Sequence, residues 1–336
     1  MKRRIPLLLL FLGLAALAFW LWKRDRGTTL AGPLADFAVA DTAAVSRIFI
    51  AETTGKTVDL RRDGKGGWTV NGMPANRHPI ELLLKTFVRV EVKSPVPKAA
   101  EANVLRVMSS TTKKVEIYQG GEKPAKTWFV GHATKDHYGT YMLLEIPGKG
   151  RSSVPFVMGM SGFTGFLSTR FHTKVDEFRS SVVFKYPDLS RVKALRVQHS
   201  DAPTSSFSIV SNEGRMELLD KASLPVPMDT ASVRAALLQI RDLHFEYFER
   251  ELAQVRRDSI LATEPKHVIT VTEVGGTERR IPLWRKPPFT GQKDLEFRPM
   301  NEDPDRLYAL IDDTALVVVQ RHLFDRILPP IERLRR

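Results

Sequence analysis

The sequence predicts an α+β protein: an N-terminal transmembrane helix followed by two duplicated lobes of mainly antiparallel sheet with packed helices. Three observations predict it. An uncharged stretch, Ile5 to Trp22, lies between two basic clusters. Apolar alternation of period two recurs between Gly-rich turns and gives way to helical spacing at Ile80, Leu83, Leu84 and Phe87. The stretch Asp41 to Ile50 returns at Asp188 to Val197, with Asp41, Val45, Ile48 and Ile50 matched to Asp188, Val192, Leu195 and Val197 at a constant offset of 147.

The N-terminal segment comes first. Lys2, Arg3 and Arg4 precede Ile5 to Trp22, and Lys23, Arg24 and Arg26 follow it. As a helix the stretch covers about 27 Å, close to the thickness of a hydrocarbon core. Ile5, Phe11, Phe19, Trp20 and Trp22 are the expected bilayer contacts, the tryptophans at the membrane interface. The competing reading is a cleaved signal peptide, because Ala16-Leu17-Ala18 resembles a small-x-small cleavage site. The expectation is a retained single-pass anchor over residues 1–27 in the cytoplasmic (inner) membrane, with the bulk of the chain extracytoplasmic. Residues 28–40, rich in Gly, Thr, Pro and Ala, read as a linker.

The first lobe is expected over residues 41–180. Val45 to Ile50, Thr57 to Leu60 and Trp68 to Val70 read as short strands, and Asn71-Gly72 as a tight turn. A helix follows from Pro79, then a second from Ala99 to Met108. Lys114 to Tyr118 and Thr127 to Val130 form a hairpin, Thr140 to Glu145 another strand, and Phe163 to Phe171 a short helix or aromatic-rich turn.

The second lobe is expected over residues 181–330. An offset of 153 carries Ile80, Leu83, Leu84, Phe87, Val90 and Val92 onto Val233, Ala236, Leu237, Ile240, Leu243 and Phe245, all apolar. The same offset carries Val115, Trp128 and Val130 onto Val268, Ile281 and Leu283. A period of this length indicates a duplicated domain rather than a solenoid. Residues 331–336 read as a basic tail.

Composition narrows the function classes. The 336 residues, 43% of them hydrophobic, suffice for two ordinary cores. The absence of cysteine excludes disulfides, thiolate catalysis and cysteine-ligated zinc. Of the net charge of +13, residues 1–26 carry +5, and the rest is dispersed. A dispersed excess reads as a solubility feature, and no nucleic-acid partner is expected.

Candidate chemistry is sparse. His132, Asp136 and His137 supply metal-donor types in a loop between two strands, but ligation needs a third converging ligand and oriented partners. The second lobe has Arg285-Lys286-Pro287-Pro288-Phe289 at the equivalent place. No metal and no cofactor is therefore expected, with these three residues as the alternative. The histidines at 78, 172, 199, 244, 267 and 322 are scattered. No nucleophile elbow, P-loop or dinucleotide fingerprint occurs, so no catalytic residue is assigned. Tyr138, Tyr141, Phe163, Phe166 and Phe171 could anchor a partner, with Arg170 as a fork for a carboxylate. The competing reading places these aromatics in the core of the first lobe.

Several stretches together resemble a bacterial membrane-anchored family known only as a domain of unknown function, number forty-three-forty. They are Asp36-Phe37-Ala38-Val39 with Asp41-Thr42, Trp68-x-Val70-Asn71-Gly72, Lys93 to Lys98, Lys114 to Tyr118, Gly139 to Leu144, and Phe166 to Phe171. The likeness covers residues 36 to 200 well and the remainder weakly. It implies an envelope protein with an N-terminal membrane segment, and some relatives look like companions of gliding-type ABC transporters; it supplies no catalytic residues. The expectation is thus a non-enzymatic, membrane-tethered envelope protein, a binding or scaffold subunit of a membrane assembly such as an ABC exporter. Its partners would be the lipid bilayer, through residues 5–22, and other envelope or transporter proteins. The alternatives are an envelope hydrolase or metal-dependent enzyme, and a module binding anionic lipid or glycan.

Overall fold

The computed structural model describes residues 34–212 and 215–336. The expected anchor, with Ile5, Phe11, Phe19, Trp20 and Trp22, lies outside the described residues. The chain divides into two compact units after Arg179.

The first unit contains β1 (Arg47–Glu52), β2 (Thr57–Arg62), β3 (Trp68–Val70), β4 (Met73–Pro74), α1 (Arg77–Arg89), β5 (Val90–Pro95), α2 (Lys98–Thr111), β6 (Lys113–Tyr118), β7 (Lys126–Ala133), β8 (Thr140–Ile146), β9 (Gly150–Arg151), β10 (Phe156–Met160) and α3 (Val175–Phe178). Apart from β9, which pairs with β8, its strands form one sheet in the order β4-β3-β2-β1-β6-β7-β8-β10-β5. Alternate residues of the strands, such as Ile48, Ile50, Val115, Ile117, Trp128 and Val130, are buried in a core that also takes in Ile80, Leu83 and Phe87 of α1. The Asn76 side chain caps α1 by accepting from the His78 N–H at 3.0 Å.

The second unit contains β11 (Val182–Phe184), β12 (Val192–His199), β13 (Phe207–Asn212), β14 (Arg215–Leu219), β15 (Pro225–Val226), α4 (Thr230–Leu238), β16 (Leu243–His244), β17 (Tyr247–Phe248), α5 (Gln254–Leu261), β18 (His267–Glu273), β19 (Glu278–Arg285), β20 (Arg306–Ile311), β21 (Ala315–Gln320) and α6 (Arg321–Phe324). Its main sheet runs β15-β14-β13-β12-β18-β19-β20-β21-β17, and β11 pairs with β16 separately.

The two main sheets therefore share one strand order, and small features repeat with it. The Val39 N–H donates to Phe87 O at 2.9 Å, and the Tyr186 N–H to Ile240 O at 3.2 Å. Asp229 caps α4 through the Ser232 N–H, as Asn76 caps α1. The Asn76 N–H donates to Phe178 O at 2.7 Å, and the Asp229 N–H to Leu334 O at 2.8 Å. Asp41 accepts from the Ala44 N–H and Asp188 from the Ser190 N–H, so both open a unit as turn residues. Packing reaches beyond the stretches read as linker and tail, because Phe37 and Val39 are buried in the first core and Ile331 and Leu334 in the second.

The α+β expectation is overturned. Three antiparallel sheets dominate, and only 22% of the described residues are helical. The helices bury too little to make a second layer of equal weight: α2 buries only Val104 and Met108, α5 buries no residue, and α6 is four residues long. Strand side chains build most of each core, so the architecture is mainly antiparallel β. The transmembrane helix of that expectation falls outside the described residues, among which no helix is long and apolar enough to cross a membrane.

Register also differs from the uniform offset. Val115 lies opposite Ile50, whereas Ile269, not Val268, lies opposite Val197. A slip of one residue moves a strand's side chains to the other face, and the core holds Val115 and Ile269. Beyond β19 the units diverge in length. Val130 pairs with Met142 and Leu283 with Ala309, so the offset steps from 153 to 167 across a loop fourteen residues longer in the second unit.

Candidate functional site

In the first unit, the turn after β10 brings together part of the aromatic set. The Phe163 N–H donates to Met160 O at 3.1 Å, and the flanking glycines Gly162 and Gly165 take φ values of 73° and 137° that favour glycine. The Arg170 guanidinium then lies 4.4 Å above the Phe163 ring. Its Nη1 donates to Thr86 Oγ1 of α1 at 2.8 Å and approaches Met160 Sδ at 3.4 Å. No carboxylate pairs with this guanidinium among the described residues, and burial pushes its pKa down. Phe163 is 36% exposed, so the face of this cation–aromatic pair meets solvent.

Beside it, the loop after β7 presents His137 and Tyr138. Asp136 accepts from Thr134 Oγ1 at 2.5 Å and from the Tyr138 N–H at 3.1 Å, an Asx turn that holds its carboxyl below the usual range. His137 takes φ 62° within that turn, and its ring meets Phe166 at 5.8 Å between centroids. Tyr138 is 56% exposed, and its carbonyl accepts from Lys93 Nζ at 2.7 Å.

The remaining aromatics go elsewhere. Tyr141 packs with Val104 and Met108 of α2, its ring 4.9 Å from His132. Phe171 is fully buried, 6.1 Å from Trp128 and 6.4 Å from Phe87, and belongs to the core. Phe171 thus lies in the core, while Tyr138 and Phe163 are exposed. His132 has a buried Nδ1 without a hydrogen-bond partner, and burial lowers its pKa. His132 and His137 turn to different neighbours, and among the described residues no three His, Asp or Glu side chains are placed to hold a metal ion.

The second unit contains a cluster that the scattered positions of its histidines did not reveal. β12 and β18 pair His199 directly with His267, and their Nδ1 atoms lie 2.8 Å apart. His199 Nε2 stands 3.4 Å from Pro329 O, which can only accept. With the His199 proton on Nε2, facing Pro329 O, its Nδ1 accepts from the His267 Nδ1–H. Lys266 and Arg321 both bond Glu302, at 3.1 and 3.2 Å, and Arg285 joins Glu302 to Asp201. Burial raises the Glu302 carboxyl, but Lys266 and Arg321 outweigh it and hold the group charged. A cavity of about 350 Å³ adjoins His199, His267, Lys266 and Arg321. The signal was present in the register: at the same rung the first unit pairs Glu52 with Lys113. An assumed offset of 153 hid it by one residue.

Burial, reinforced by His199 and Lys266, pulls the His267 pKa down from 6.5 to about 4. The unfolded chain then binds the extra proton between those values, so the stabilisation is complete above pH 6.5 and is lost as pH falls toward 4. The expected loss is about 1–3 kcal/mol. Urea midpoints at pH 7 and pH 4.5 test it: the drop should shrink in His267→Gln, and equal drops in both proteins would exclude this origin.

Fold and sites together define a protein of two mainly antiparallel β units with one strand order, the first carrying an exposed aromatic–cation patch and the second a paired-imidazole cluster. No protein-family model, no curated protein and no solved structure matches the chain.

Proposed function

We propose that this chain is a non-enzymatic binding or scaffold subunit of a membrane assembly such as an ABC exporter. Residues 5–22 tether it to the inner membrane, with the bulk outside the cytoplasm. The patch of Phe163, Arg170, Phe166 and Tyr138 docks a partner segment that presents a carboxylate beside an apolar side chain. The observation that carries this reading is the Arg170 guanidinium, which is partly desolvated, oriented by Thr86, backed by Phe163 and without a carboxylate among the described residues. A charge-assisted bond to a guanidinium so prepared is stronger than one to a freely hydrated arginine, and aromatic and Arg side chains dominate interface hot spots. Tethering raises the local concentration of the patch near membrane partners without demanding high intrinsic affinity.

The test is crosslinking in intact membranes from a photoreactive residue at position 138, followed by identification of the joined protein. Arg170→Ala is expected to weaken partner capture about tenfold or more, a loss of at least about 1.4 kcal/mol. Recovery of the chain alone, or undiminished capture by the variant, overturns the docking reading. Release of the chain from the same membranes at alkaline pH overturns the tether.

A further inference from the structure

The repeat allows the two units to be compared position by position, and one comparison exposes a vacancy. In the first unit Arg62 and Trp68 face each other across β2 and β3, and the Arg62 guanidinium lies 4.8 Å above the indole ring. Arg62 is held there by Val45 O and Thr42 O, at 2.6 and 3.1 Å, and Trp68 is only 7% exposed. The pair closes that end of the sheet.

The corresponding strands of the second unit put Ile209 opposite Leu218 and Ser211 opposite Met216, as Leu60 lies opposite Val70 and Arg62 opposite Trp68. Ser211 and Met216 thus stand where the first unit has arginine and tryptophan. Both side chains are shorter, and a cavity of about 270 Å³ opens at this place. Val192, Ala194, Ile209, Met216 and Leu237 supply its apolar wall. Its volume lies just below the range of about 300–1,000 Å³ usual for drug-sized ligands, which suits a small one.

The charge beside the cavity has changed as well. Lys193 and Arg234 line it and are exposed, and neither has an ion-pair partner among the described residues. At the offsets of their own elements, 147 and 153, the first unit has Ser46 and Glu81 in their places. The unit that fills its own place does so with Arg62 and has an acid, Glu81, at the helix position, whereas the unit that leaves the pocket open has two exposed cations beside it and no acid at that helix position.

We infer that this cavity is a binding site for a small aromatic carboxylate. The same backbone frame accommodates an indole in the first unit, so a flat aromatic ring fits between β12, β13, β14 and α4 against Ile209, Met216 and Leu237. The ligand's carboxylate takes the two cations as partners, Arg234 as a fork and Lys193 as a point charge. Water is a poor occupant of such an apolar wall, and displacing it favours the ring.

The full chain is titrated calorimetrically with three probes that share one ring: indole-3-acetate, indole and tryptamine. Indole-3-acetate is expected to bind at one site, about tenfold or more tighter than indole, with tryptamine weaker still. Met216→Trp restores the first unit's own filling and is expected to abolish binding. Arg234→Glu, a change at an exposed helix position, is expected to reverse the order of indole-3-acetate and tryptamine while leaving the thermal midpoint in place. Absence of saturable indole-3-acetate binding overturns the proposal, as does unchanged binding by either variant or equal affinity for all three probes.

Discussion

Replacing Trp128 with alanine is expected to destabilise the first unit by about 3–5 kcal/mol, the range for deleting a large aromatic from a packed core. Trp128 is fully buried at the centre of a ring cluster, 6.2 Å from Phe37, 5.1 Å from Phe87 and 6.1 Å from Phe171, all at edge-to-face angles. Those rings come from the segment before β1, from α1 and from the segment after β10. Losing the indole therefore unties three parts of the chain from β7 at once. Its Nε1–H has no hydrogen-bond partner among the described residues. Trp128→Phe sacrifices volume but also removes that unsatisfied donor, and it is expected to cost less than half as much. Urea unfolding followed by circular dichroism measures both, and an alanine variant within about 1 kcal/mol of the parent would show that the cluster collapses without loss.

Asp303→Ala is expected to cost about 3–5 kcal/mol, because it strands a buried cation. Asp303 is 1% exposed and Lys286 is 6% exposed, with Lys286 Nζ 3.0 Å from Asp303 Oδ2. The other carboxylate oxygen accepts from the N–H groups of Asp305 and Arg306, at 2.9 and 3.1 Å, and the Asp303 N–H donates to Lys286 O at 2.7 Å. These contacts close the base of the long loop between β19 and β20. Removing both charges at once, in Asp303→Ala with Lys286→Met, should recover most of the loss, since no charge is then left buried alone. A double variant as unstable as the single one would assign the loss to the backbone contacts of Asp303 rather than to the stranded ammonium. Urea midpoints of the three proteins decide between these outcomes.

The candidate sites were unequally legible. Phe163, Phe166, Tyr138 and Arg170 stood out in the sequence because aromatics crowd one segment with an arginine among them. Which of them face solvent depended on the turn at Gly162 and Gly165 and on the Asx turn at Asp136. The pairing of His199 with His267 was legible in principle from the rung that joins Glu52 and Lys113, but a one-residue change of offset at β18 concealed it. The aromatic-carboxylate pocket left no local signal, since Ser211 and Met216 are ordinary strand residues until they are set against Arg62 and Trp68.

The sequence by itself determined the strands of period two, the helix with Ile80, Leu83 and Phe87 on one face, and the turn aspartates at Asp41 and Asp188. Each depends on neighbours a few residues apart, whose side-chain direction is settled by local backbone geometry. Only the tertiary structure decided the balance of helix and sheet, the face toward which β18 turns, the burial of Phe171 and the opening of the second unit's pocket. Those outcomes depend on pairing across long sequence separations, where one residue of register exchanges the core face for the exposed one. A local pattern carries no record of that choice.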